Sequence, residues 1–453
     1  MRDLTVGRID KNIVDLAIPM IGGQLMFTLF NITDTYFVGK LGTEALAAMG
    51  FTFPVILIAS ALTMGISTGS MSVLSRAAGN NDRYIMKRTA TDGLILSLLF
   101  VILFSVVGLN SMDSIFTLLG ADKSTLPIIK EYMTIWYSFS FVVFIPPVSD
   151  SSMRALGDMV RPFYVMCVCA LMNVVLDPIL IFGYFGFPAM GIRGAAIATV
   201  ISRACGMCAT LYFLNFHHKL LELRMPKISE LISSWKKILI VGIPAVGVAI
   251  FPQLLRSFIT AQAAYVGGVT AVAAVAAGSR IEGFAYIITQ SVGSSLVPII
   301  GQNWGAKKAA RIEETRRFYN KHSLTLGIAM FVVIFFISDF TAKLFTQDAE
   351  VLKYTSIYLK VLLAGAIGMN LYTWNGQALN AVGKSFWSLV INGGGTVVFM
   401  MPVLYLGSRY SFTAMIGGLA VGQIIVGLIS IFIARSKLKF EDGEKESILS
   451  IEN

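Results

Sequence analysis

Two carboxylates lie where carboxylates are expensive. Asp34 and Asp177 both fall inside long apolar stretches; Asn31 precedes Asp34 by three residues and Asn173 precedes Asp177 by four. On a helix these spacings place each amide on the same face as its acid. An ionisable group inside a bilayer normally faces protein or water, and each one is a candidate functional group. Carboxylates, amide carbonyls and hydroxyls are hard oxygen ligands that coordinate sodium. Alternatively, the two carboxylates, desolvated and close together, share a proton. The chemistry alone leaves both ions open. The competing structural reading is helix–helix hydrogen bonding or an N-cap in a broken helix, since Pro178 directly follows Asp177.

In the second half of the chain the main acid is Glu282, with Arg280 two positions before it. Residues at that spacing do not face each other on a helix. Glu282 therefore either attracts a cationic molecule or satisfies Arg256, which falls in the preceding apolar stretch. Gln253 and Gln290 are the neutral polar groups expected to line a cavity with it. Met26, Phe27, Phe139, Phe258 and Tyr286 would supply an adaptable apolar wall, because methionine and aromatic side chains reshape their contacts around different ligands. Packing against neighbours or lipid is the simpler reading for any one of them.

The elements that must hold these residues follow from composition. Of 453 residues 55% are hydrophobic and only 14% charged, against about a quarter in soluble proteins. Twelve apolar stretches are long enough to cross a hydrocarbon core: 13–38, 46–73, 90–111, 132–150, 162–186, 194–216, 238–264, 271–300, 322–338, 355–378, 386–407 and 413–434. The first is too long for a signal peptide and lacks a small-residue cleavage site, so it is expected to be retained. Loops alternating from the N-terminus hold 25 Lys and Arg residues, and the opposite set holds 8. Basic residues are retained on the cytoplasmic side, so both termini are expected there. The net charge of +10 is then topology, and no nucleic-acid partner is expected. With that orientation Asp34 and Asp177 lie in the outer half of the membrane. Thr199, near the start of span six, and Tyr132, at the outer end of span four, sit at similar depth. Four helices thus supply one polar cluster.

Shifted by 226 residues the chain matches itself: GTEALAAM (42–49) falls on GVTAVAAV (268–275), SRAAGNND (75–82) on GQNWGAKK (301–308), and MRALGD (153–158) on LNAVGK (379–384). Two six-helix repeats of the same membrane orientation are expected. The corresponding organisation is an N-terminal lobe (1–216), a cytoplasmic linker (217–237), a C-terminal lobe (238–434) and a cytoplasmic tail (435–453). The second repeat has Thr260 where the first has Asp34, and no acid in the stretch equivalent to span five. Coupling chemistry is therefore expected in one lobe.

Four segments in order, DTYFVGKLG (34–42) followed by ALAAMG, MRALGD (153–158), NVVLDP (173–178) and VPIIGQNWGA (297–306), resemble the multidrug and toxic compound extrusion (MATE) family across essentially the whole chain. The resemblance implies an all-α protein of the cell membrane, with twelve transmembrane helices in two pseudo-symmetric lobes that alternate between inward and outward openings. It implies export of lipophilic, often cationic compounds coupled to protons or sodium, with no cofactor. Asp34, Asn173, Asp177 and Thr199 match positions that form the cation site of the N-terminal lobe, and Tyr132 is a looser match. At Phe30 related proteins can carry a tyrosine. A monomer is expected.

Other classes fare poorly. There is no Walker A sequence for ATP-driven transport by this chain, no HExxH, and no loop long enough for a catalytic domain, so an enzyme is not expected. Cys167, Cys169, Cys205 and Cys208 lie in apolar runs without histidines at ligand spacing and read as packing residues. A lipid-linked oligosaccharide flippase of the same superfamily would more often have extra spans and a strongly cationic cavity. A receptor or passive channel would need neither the carboxylate pair nor duplicated lobes.

Overall fold

The computed structural model describes residues 2–222, 224, 227–343 and 347–440, and these contain helices but no strand. Most of the expected tail, 441–453, lies outside the described residues. Three long helices open the chain: α1 (Ile9–Gly39), α2 (Thr43–Gly79) and α3 (Arg83–Leu118). The fourth crossing is a pair, α4 (Thr125–Ser138) and α5 (Phe141–Ala155), bent by 46°. α6 (Val160–Phe182) and α7 (Ile192–Tyr212) follow, the latter prolonged by a π turn over Phe213–His217.

The longest helical run, α8 (Ile228–Gly305), has 78 residues. At 1.5 Å per residue it would measure about 117 Å, roughly four times the hydrocarbon thickness, so it cannot be one crossing. It breaks at Gly267 and Gly268, where Gly268 has φ 58° and ψ −146°, a conformation only glycine adopts cheaply. The break separates spans seven and eight. α9 (Ala309–Lys343) is span nine; α10 (Ala349–Leu362) and α11 (Ala366–Ala381), joined by a 3₁₀ turn, make span ten. Span eleven runs from α12 (Ser385–Leu389) through two π segments into α13 (Met401–Ser408), and α14 (Phe412–Lys437) is the twelfth. The protein is an all-α membrane protein whose helices match the twelve expected spans.

The repeat is legible in where helices stop. Gly79 and Gly305 end α2 and α8, and Ala155 and Ala381 end α5 and α11, both pairs 226 positions apart. Gly157 and Gly383, just beyond, both have positive φ (78° and 81°). The interruption of span four at Phe139–Ser140 coincides with that of span ten at Leu363–Gly365 under the same shift.

The chain packs as two compact units. One contains Ile18–Leu74 and Asp82–Gly242; the other contains Asp3–Ala17, Ser75–Asn81 and the chain from Ile243 onward. In the first unit, Phe104, Trp136, Tyr137 and Phe144 meet edge-to-face or tilted, with ring centroids 5.3–6.1 Å apart, and fix the bent fourth span against α3. In lipid there is little hydrophobic drive for helices to associate, and close approach over small residues replaces it. A Cβ at Gly194 would clash with the Leu180 carbonyl, which brings α7 directly onto α6. The linker also belongs to this unit. Trp235 Nε1 donates to the Asp92 carbonyl (2.9 Å), the Glu222 amide to Thr91 Oγ1 (2.9 Å), and Lys87 pairs with Glu222 (3.2 Å).

In the second unit the extended start of the chain is pinned to the end of α8 and the start of α9. The Leu4 amide donates to Gln302 Oε1 (3.0 Å), Asn303 Nδ2 to the Leu4 carbonyl (3.2 Å), Lys308 Nζ to the Thr5 carbonyl (3.0 Å), and Arg311 to the Gly7 carbonyl (3.1 Å).

Candidate functional site

The first unit brings Asp34, Asn173, Asp177, Thr199 and Tyr132 inside the protein, all less than a tenth exposed. They come from α1, α4, α6 and α7. The close α6–α7 approach at Gly194 sets Thr199 on a helix touching that of Asp177, and the aromatic cluster around Trp136 holds Tyr132, one turn away. Asp34 and Asp177 are within charge–charge reach of each other, and Tyr132 of both. Asn173 Nδ2 donates to Asp177 Oδ1 at 3.0 Å, an i,i+4 contact along one face of α6. Pro178 lies inside α6 without ending it, and its missing N–H leaves the Val174 carbonyl without its helical donor.

What remains unbonded defines the chemistry. Asp34 Oδ1, Asn173 Oδ1, Asp177 Oδ2 and Thr199 Oγ1 are all buried without a hydrogen-bond partner. A buried acceptor left unpaired costs about 1–3 kcal/mol, more when charged, so the unpaired oxygens of the neighbouring Asp34, Asn173 and Asp177 favour a donor or a cation beside them. Hard oxygens of this kind suit a sodium ion, and a proton on a carboxylate supplies a donor instead.

Asn31 stands apart from this set. Its side chain is exposed, and Nδ2 donates to the carbonyl of Phe27 (2.7 Å), one turn back on its own helix. Phe30, where relatives can carry a tyrosine, gives Asp34 no hydroxyl; instead its ring carries the Arg203 guanidinium 4.4 Å from its centroid.

Arg203 and Asp150 are functional candidates that the sequence reading did not rank. Arg203, on α7, lies within charge–charge reach of both Asp34 and Asp150, and Asp150 Oδ1 is buried without a partner. The signal was present as an arginine and an aspartate inside apolar segments, but nothing in the spacing joins residues 34, 150 and 203.

In the second unit Glu282 is 7% exposed, and its Oε2 accepts from Tyr358 Oη at 2.7 Å. Tyr286 and Tyr372 lie within electrostatic reach of this carboxylate. Arg256 is exposed and within electrostatic reach of Glu282 but forms no ion pair with it among the described residues; the hydrogen bond the carboxylate accepts comes from Tyr358. Gln253, Phe258 and Tyr286 are half-buried and Gln290 is exposed. In the first unit Met26 is half-buried, and Phe27 and Phe139 are 41% and 45% exposed, Phe139 at the bend between α4 and α5.

The profile of the MatE family matches residues 19–179 and 244–406, one match in each repeat. An FAD transporter of Shewanella oneidensis is 32% identical over 431 residues, covering 95% of this chain and 94% of that protein. The multidrug export protein MepA of Staphylococcus aureus is 25% identical over 96% of both chains. Among solved structures, the Vibrio cholerae MATE transporter VcmN in its bent form superposes with a TM-score of 0.89 at 27% identity, covering 95% of this chain and 97% of that one. With the family profile matched in both repeats and relatives aligned along nearly the whole length, the chain belongs to the MatE family of membrane transporters and is not an enzyme.

Proposed function

We propose that this transporter exports amphiphilic, often cationic small molecules by alternating access, and that inward movement of a proton or a sodium ion drives each cycle. The observation that supports the reading is the pair of buried carboxylates in the first unit, Asp34 and Asp177, within charge–charge reach of each other and each with an oxygen left unbonded. Asp34 and Asp177 bind the coupling ion, Asn173 and Thr199 complete its oxygen shell, and Tyr132 walls the site. In the second unit Glu282 provides the charge-selective contact for cationic substrates, with Gln253, Gln290, Phe258 and Tyr286 as its lining; in the first unit Met26, Phe27 and Phe139 supply adaptable apolar contacts. The chain works as a monomer with both termini in the cytoplasm, its two lobes spanning 1–216 and 238–434. The decisive experiment is transport in proteoliposomes with proton and sodium gradients imposed separately. Acceleration by one gradient identifies the ion, and indifference to both removes the antiport reading.

A second reading has its own support. The relative at 32% identity is an FAD transporter, so the exported compound here is in that case a flavin nucleotide. FAD efflux measured beside a cationic dye in the same liposomes separates the two substrates.

A further inference from the structure

Away from the carboxylate site, the first unit holds a cavity of about 270 Å³ at the polar end of α3, closed on its other side by the helical part of the linker. Its floor is Arg88, Thr89 and Asp92, all buried. Its mouth is formed by Tyr84, Ser229, Glu230, Ser233 and Lys237, all exposed.

The floor is incompletely bonded. Arg88 pairs with Asp92 and donates from Nη1 to the Arg224 carbonyl (3.2 Å), yet Arg88 Nε has no acceptor and Asp92 Oδ2 has no donor. Ser234 lies beside Asp92 without closing a bond of normal geometry to Oδ2. Two residues of the cavity wall thus carry one buried donor and one buried acceptor, each costly while unpaired. The mouth repeats the pattern, since Lys237 offers donors and Glu230 offers acceptors.

Two positive and two negative groups around one small space do not suit a simple anion, which the carboxylates would repel, or a simple cation. They suit a zwitterion whose charges are a few ångströms apart. The surroundings indicate where it comes from. Tyr84, Ile228 and Ile232 are 59%, 77% and 57% exposed, and the two isoleucines each precede a mouth residue on the linker helix. Apolar exposed side chains beside a charged cavity, at the end of a spanning helix, are the pattern of a segment lying at a membrane interface.

We propose that this cavity binds a phosphate ester carrying a primary ammonium group, presented by the membrane as the headgroup of phosphatidylethanolamine. The phosphate accepts from Arg88 Nε and Lys237, the ammonium donates to Asp92 Oδ2 and Glu230, and the acyl chains run along Tyr84, Ile228 and Ile232. Occupancy would clamp α3 to the linker helix.

The full chain is reconstituted in nanodiscs of phosphatidylcholine alone, or with phosphatidylethanolamine or phosphatidylglycerol added, and the lipid retained after detergent extraction is measured by native mass spectrometry. Phosphatidylethanolamine should be retained selectively. Retention should fall along the mono-, di- and trimethylated headgroup series as ammonium donors are lost, and should drop about tenfold in the Glu230→Gln, Lys237→Gln double variant, the loss expected for about 1.4 kcal/mol of charged hydrogen bonding. Both positions are exposed, so the variant is expected to fold, which its melting curve checks. Equal retention of phosphatidylethanolamine and phosphatidylcholine would overturn the proposal, leaving the cavity to water. Equal retention of phosphatidylglycerol would also overturn it, by reducing recognition to the phosphate. Soluble glycerophosphoethanolamine, which carries the same charges without acyl chains, should compete only in large excess; competition as effective as that of the lipid would move the ligand into solution and overturn the assignment to lipid.

Discussion

The coupling site can be tested at the level of single oxygen atoms. Replacing Asp34 or Asp177 by asparagine keeps side-chain volume but removes the charge that an ion would neutralise, so each variant should insert and fold while gradient-driven export falls to that of empty liposomes. Normal transport by either variant would make that carboxylate structural. Glu282 poses a different question, because Tyr358 already bonds it. Glu282→Gln should raise the KM of cationic substrates several-fold while leaving neutral ones within about twofold; equal changes for both would reject charge selection. The sequence singled out Asp34 and Asp177 because acids within apolar segments are rare, Asn173 by its i,i+4 spacing to Asp177, and Thr199 only by its depth and the family resemblance. It did not show the surroundings of Glu282, since Tyr358 and Tyr372 lie 76 and 90 positions away in an aromatic-rich chain. Sequence separation likewise hid the link through Arg203, 169 positions from Asp34 and 53 from Asp150.

At the scale of helices, hydropathy located the crossings well, because a bilayer demands about 20 apolar residues whatever the tertiary context. Breaks within crossings were harder to read. The bend at Phe139–Ser140 carries neither proline nor glycine at the break itself, although Pro146 and Pro147 follow inside α5. Loop chemistry can be tested here through Asp158, between α5 and α6. It pairs with Arg161 and meets His218 Nε2 at 2.9 Å. Burial works against its charge, but the bonds from His218 and Arg161 outweigh that and hold its carboxyl well below the usual range. A carboxylate depressed in this way stabilises the fold above its unfolded value near 4, and that contribution is lost as pH falls through the folded value. Asp158→Asn should therefore lower the melting temperature in detergent at pH 7 by a few degrees, with the gap to wild type closing below about pH 4. A gap unchanged at acid pH would show that packing alone is responsible.

For the whole molecule, the charge asymmetry of the loops makes orientation a direct measurement. In a background lacking the native cysteines, Asn80→Cys in the α2–α3 turn should react with a membrane-impermeant maleimide only in inverted vesicles, and Lys123→Cys in the α3–α4 turn only in intact cells. Reversed labelling would turn the transport direction proposed here around with it. The duplicated architecture was legible in the sequence through matches such as GTEALAAM and GVTAVAAV, and helix ends at the same 226-residue interval carry it into three dimensions. The membership of the compact units was less legible. Residues 3–17 are counted with the second unit because backbone groups near Leu4 bond to side chains some 300 positions further on, and hydropathy contains no information on such pairing.

That long-range pinning also sets a timetable for biogenesis. The partners of Leu4, Thr5 and Gly7 are Gln302, Asn303, Lys308 and Arg311. A ribosome adding 5–20 residues each second needs roughly 15–60 s to get from the first group to the second. Throughout that interval the leading segment has emerged while its docking surface does not yet exist, and its amides and carbonyls are satisfied by water or by a chaperone. Residues 4–7 are thus made long before they settle, and a nascent chain arrested before Arg311 should expose this segment to protease while the full chain protects it.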